Sequence, residues 1–177
     1  DNRDELAASL DIPITQRRQL SDGGLILRAY RKWGSQCPQH LLGDFAFAIR
    51  DDRRQILFCA RDHIGARPFY YSSTPERVVF SSDIKGVLSK VESADRLDEP
   101  FIATGLIEHI YYHDEHTFFE SVRKLPPAHT LTVGRNEFRI ERYWFPERLP
   151  EVRYRSGPEY IEAFLDIYRR VIRDYLR

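Results

Sequence analysis

The sequence has no methionine, only two cysteines, and no apolar run near the roughly 20 residues that a helical bilayer span requires. Its charge has no bias either, with 27 Lys and Arg against 27 Asp and Glu. Each lack excludes something. A balanced surface offers no basic field for nucleic acid or anionic lipid, so neither partner is expected. The polar, acidic opening does not read as a signal peptide. Two cysteines cannot build a disulfide framework. Cys59, inside ILFCA, reads as a small buried hydrophobe. Cys37 precedes Pro38 in an expected loop, with one added turn over 37–42 as the alternative, and reads as an inert thiol. That usage fits a reducing compartment, and a cytoplasmic location is expected. There is no Gly-rich phosphate loop, internal repeat or low-complexity tract. What remains is an ordinary globular composition, 42% hydrophobic and 31% charged over 177 residues, enough for one domain and a piece of another. The missing initiator, an opening that reads as helix interior and a close on an uncapped helix lead to the expectation of a piece cut from a longer polypeptide.

The strongest periodic signal lies in LLGDFAFAIRDDRRQILFCARDHIGARPFYY, residues 41–71. Phe45, Phe47 and Ile49 alternate with Ala46 and Ala48, a strand period with one large and one small apolar face. Both faces are therefore expected to be covered, and the sheet to be internal. Strands are predicted over 43–50 and 55–61, joined through the charged tip Asp51-Asp52-Arg53-Arg54. VVFSSDIKGVL predicts a strand running into a short helix. A second hairpin is predicted over 129–133 and 138–142 across Gly134-Arg135-Asn136. Helices are predicted over 2–10, from Ser21-Asp22 to Gly34, after Leu97, and from Ser156 onward. The last combines Ser156, Pro158 and Glu159 in a capping-box pattern with an apolar stripe of Ile161, Phe164, Leu165, Tyr168, Val171, Ile172 and Tyr175. Residues 143–157 read as a linker.

Taken in order, NRDEL, SD at 21–22, RAYRKWG, LLGDFAFAI, ARDHIGARPFYY, FSSDIKGVL, TFFESVRKLPPAH and RYW resemble the glutamine-hydrolysing part of asparagine synthetases, a class II glutamine amidotransferase. The resemblance implies an α+β fold, the four-layer αββα sandwich of antiparallel sheets found in N-terminal-nucleophile hydrolases, here incomplete at the N-terminus. It implies residues 1–144 as the amidotransferase domain, 145–155 as linker, and 156–177 as the first helix of an ATP-dependent synthetase domain. In that family a terminal cysteine attacks the glutamine amide with its own α-amino group as base, an asparagine and a glycine form the oxyanion hole, and the released ammonia meets ATP-activated aspartate.

Carried onto this chain, the resemblance leaves no catalytic residue: nucleophile, amine and oxyanion loop would all precede Asp1, and the chain alone is expected to be inactive. One ligand carries over. Asp22 matches the aspartate of the family's SDTE turn, which pairs with the α-ammonium of bound glutamine, although a helix N-cap is the alternative role for a carboxylate there. Gly23-Gly24 replaces the family's Thr-Glu. Asp83 replaces a glutamate and is expected to weaken a buried hydrogen bond. Arg61-Asp62 and Arg67-Pro68 read as architectural. His109, His113, Asp114 and His116 have metal-like spacing but read as a solvated loop, so no metal is expected. No cofactor is expected in the chain itself, with ATP and magnesium belonging to the synthetase domain. Expected partners are glutamine and that domain, with a homodimer left open. The competing reading keeps the fold without the hydrolysis: a scaffold domain of an amide-forming cyclase of the β-lactam synthetase or lasso-peptide type.

Overall fold

The computed structural model describes residues 2–108 and 115–176. The chain divides into two compact units, Asn2–Trp144 and Phe145–Arg177. In the first, helix α1 (Arg3–Ser9) and the single turn α2 (Ile14–Arg17) lead to α3 (Asp22–Trp33). Ser21 caps α3, its hydroxyl accepting from the Gly24 N–H at 3.2 Å. Gly34 ends it at φ +59°, a conformation glycine adopts without steric cost. A 3₁₀ segment, Gly34–His40, follows. Cys37 lies in that segment, in the added turn and not in a loop, and is fully buried.

One antiparallel sheet has the order β1-β2-β6-β7, with β1 at Ala46–Asp51, β2 at Ile56–Arg61, β6 at His129–Gly134 and β7 at Glu137–Arg142. The other has the order β4-β3-β5, from β3 (Tyr70–Ser73), β4 (Val78–Ser81) and the short β5 (Arg123–Lys124). The fold is thus α+β with antiparallel sheets. Both predicted hairpins form, the second in the register Val133 to Phe138 and Leu131 to Ile140. At the first hairpin's tip the Asp51 carboxylate accepts from the N–H groups of Arg53 and Arg54 at 3.0 and 3.1 Å.

Two apolar clusters explain the alternation in β1. Phe45, Phe47 and Ile49 pack with Leu6, Ala7, Leu25, Ala29, Tyr30 and Phe58, which joins α1 and α3 to one face of the four-stranded sheet. Ala46 packs on the other side with Cys59, Phe69, Tyr71, Leu125 and Leu131, where the two sheets meet. The expectation of a sheet covered on both faces holds only in part. β1 is the outer strand of its sheet, and Ala48 is exposed, because the inter-sheet cluster includes Ala46 and not Ala48. On the second sheet, α4 (Ile84–Leu88) follows β4 directly, with Val87 fully buried and Ser81 against Gly86. Helix α5 (Glu99–Glu108) follows.

The second unit holds a 3₁₀ turn at Pro146–Arg148 and the helix α6, Gly157–Tyr175. The predicted capping box does not form. Glu159 accepts from the Arg155 N–H and the Ser156 hydroxyl, each at 3.1 Å, while the Ser156 side chain caps no backbone donor. The apolar stripe is exposed, Phe164 at 64% and Ile161 at 62%.

Candidate functional site

Asp22 is the first residue of α3, and its side chain is 87% exposed. The capping role belongs to Ser21, so the N-cap alternative for Asp22 does not describe this helix. Its carboxylate instead forms an ion pair with Arg3, whose Nη1 donates to Oδ1. The other terminal nitrogen of Arg3, Nη2, donates to the Leu20 carbonyl and, at 3.2 Å, to that of Arg17. One guanidinium therefore grips the main chain entering α3 and the first side chain on it. The preceding residue is tied as well. Asn2 Nδ2 donates to the His40 carbonyl at 3.0 Å, and the Leu42 N–H donates to Asn2 Oδ1 at 2.9 Å. The start of α1 is thus clamped between the entry to α3 and the segment leading to β1. Nothing in local sequence periodicity signals Arg3, because its partner lies 19 positions away.

The Arg61-Asp62 pair serves the backbone. Asp62 is 1% exposed, and its carboxylate accepts from the N–H groups of Ile64, Ala66 and Arg67 at 3.2, 2.8 and 2.9 Å. Arg61 takes the complementary carbonyls, those of Arg67, Leu125 and Gly65, at 2.7, 2.7 and 2.6 Å. Gly65 turns the corner at φ +71°, where a Cβ would lie 2.9 Å from both the Arg61 guanidinium and Pro127. His63 sits on this corner among Phe45, Tyr143 and Trp144, with ring centroids 6.3, 5.3 and 5.1 Å away. Burial lowers its pKa against the opposing pull of the Asp62 charge.

Asp83 is corrected by the structure. It is exposed and caps α4, accepting from the Lys85 N–H at 3.0 Å, so it makes no buried bond that a shorter side chain could weaken. Of the four residues with metal-like spacing, His109, His113 and Asp114 lie outside the described residues. His116 is half-buried rather than solvated. Its Nδ1 lies 3.1 Å from Asp98 Oδ2 and 3.0 Å from Arg123 Nη1. Burial pushes the Asp98 carboxyl up, but the hydrogen bonds from His116 and the Phe101 N–H, with help from Arg123, hold it below the usual carboxylate range. No cluster of three or more metal-ligating side chains occurs among the described residues. Burial pushes both thiols, Cys37 and Cys59, up to about 12, far from a nucleophile at neutral pH. No described helix is long and apolar enough to cross a membrane.

The sequence is similar to known proteins over most of its length. The family model described as a glutamine amidotransferase domain matches residues 2–144. Asparagine synthetase [glutamine-hydrolyzing] 3 of Bacillus subtilis is 34% identical over 81% of this chain and 23% of that protein. A putative asparagine synthetase [glutamine-hydrolyzing] 2 of Methanocaldococcus jannaschii is 31% identical over 74% of the chain and 25% of its own length. An amidase of Gibberella zeae is 32% identical over 70% of the chain and 18% of its length. The chain therefore spans about a quarter or less of the relatives it matches.

Proposed function

This chain belongs to the glutamine amidotransferase domain family in its asparagine synthetase branch, and from that membership we propose that it forms part of an enzyme that hydrolyses glutamine to glutamate and ammonia. In this reading residues 1–144 are the amidotransferase domain, 145–155 the linker and 156–177 the opening helix of a synthetase domain. ATP and magnesium act in that second domain, where the ammonia meets an activated aspartate. The complete amidotransferase is a four-layer αββα sandwich, and the two apolar clusters, one between helices and sheet and one between sheets, support that arrangement. The enzyme works in the cytoplasm.

The observation that carries the reading is Asp22, an exposed carboxylate at the head of α3, anchored through Arg3 and matching the family's ammonium ligand. Glutamine enters as a zwitterion, and a fixed carboxylate supplies the complement to its α-ammonium. In this reading the reacting groups belong to the longer protein, and the buried Cys37 and Cys59 take no part. In the longer protein, Asp22→Ala is expected to raise KM for glutamine about tenfold or more, the loss of one charge-assisted bond. Synthesis supported by free ammonia is expected to persist. Parallel loss of both activities would assign Asp22 a structural role instead.

A second reading has its own support. Gly23-Gly24 replaces the Thr-Glu expected beside Asp22, a change that fits a relaxed glutamine site. In that reading the domain is a scaffold for an amide-forming cyclase, and no glutamine is consumed.

A further inference from the structure

Asp22 has one carboxylate oxygen on Arg3, while Oδ2 has no partner among the described residues. Taking Asp22 as the ammonium ligand, as the proposed function does, we propose that Arg3 is its positioning residue, the group that aims Oδ2 at the amino acid without touching it. An exposed aspartate at a helix start samples several rotamers, and a ligand must select one of them. Arg3 removes that freedom in advance. Its planar fork is oriented by the carbonyls of Leu20 and Arg17, so its direction does not depend on Asp22. Its own stem is fixed because α1 is held at Asn2 by His40 and Leu42 and packs Leu6 and Ala7 into the core.

The opposite expectation is that a guanidinium neutralises Asp22 and repels an incoming ammonium. Exposure decides between them. An ion pair with one partner 87% exposed is heavily screened, so the repulsion subtracts little. Orientation comes from a directional hydrogen bond whose donor is already held by the carbonyls of Leu20 and Arg17, and screening weakens that bond without redirecting it. Lysine in place of Arg3 keeps the charge but not the fork, so it reaches fewer of the three acceptors and fixes the carboxylate less well.

The test measures kcat and KM for glutamine hydrolysis in the longer protein bearing Arg3→Ala, Arg3→Lys, Asp22→Ala and the Arg3→Ala/Asp22→Ala pair. Expected is a KM for Arg3→Ala raised about three- to tenfold with kcat within about twofold, partial recovery in Arg3→Lys, and a double variant no worse than Asp22→Ala alone. An unchanged or lowered KM in Arg3→Ala, or effects that multiply in the double variant, overturns the role of Arg3 and leaves Asp22 as the ligand. An Asp22→Ala enzyme with unaltered KM removes the ligand reading itself, a separate failure. If Arg3→Ala does not fold, Arg3→Lys alone decides: a roughly two- to threefold rise in KM supports the proposal, and none overturns it.

Discussion

His63 is the residue whose environment most directly predicts behaviour. Burial among Phe45, Tyr143 and Trp144 favours its neutral form, so its folded pKa lies below the ordinary imidazole value of 6.5. The stability it contributes is complete above that value and is lost as pH falls through the lower folded pKa, where the unfolded chain binds the proton more readily. The stability of the natural chain relative to His63→Phe is therefore expected to fall as pH drops from 7 to 5, followed by urea unfolding. A difference that stays flat over that interval contradicts the assignment. Sequence and structure diverge most at single residues. The position of Asp22 at a helix start was legible, because serine and glycine punctuate helices by local chemistry. Its grip by Arg3 was not, since a long side chain crossing between two helices leaves no period to read. Asp83 misled because the comparison was with a glutamate, whereas the local rule for an aspartate before a helix is capping, and that rule won.

Elements were more legible than contacts. Strand alternation and turn residues placed both hairpins, and the glycine after Trp33 placed the end of α3. The covering of β1 was overestimated, because alternation reports which faces are apolar and not how far the facing sheet extends. Ser156 and Glu159 likewise have the right spacing for a reciprocal cap, yet Glu159 takes the Arg155 N–H and the Ser156 hydroxyl in place of the Ser156 N–H. The corner after β2 is the element most dependent on one side chain. Removing the buried Asp62 carboxylate leaves the N–H groups of Ile64, Ala66 and Arg67 without their acceptor. Asp62→Ala is expected to lower stability by about 3 kcal/mol, within the range for charged hydrogen bonds lost in a buried site. A loss below about 1 kcal/mol in urea unfolding would mean that water or the neighbouring backbone replaces it.

At the scale of the molecule, the chain shows an α+β scaffold of two antiparallel sheets with an exposed, Arg3-paired carboxylate at the head of α3, and the proposed function makes that carboxylate the ligand of glutamine's ammonium. The family was legible from eight short segments in fixed order, although each alone is weak. Consumption of glutamine separates the two readings of the pattern around Asp22. Glutamate release decides it. The longer protein, incubated with glutamine, is expected to release glutamate, and the 177-residue chain alone to release none. ATP-dependent amide formation by the longer protein with no glutamate released would contradict the account and leave the scaffold reading in its place.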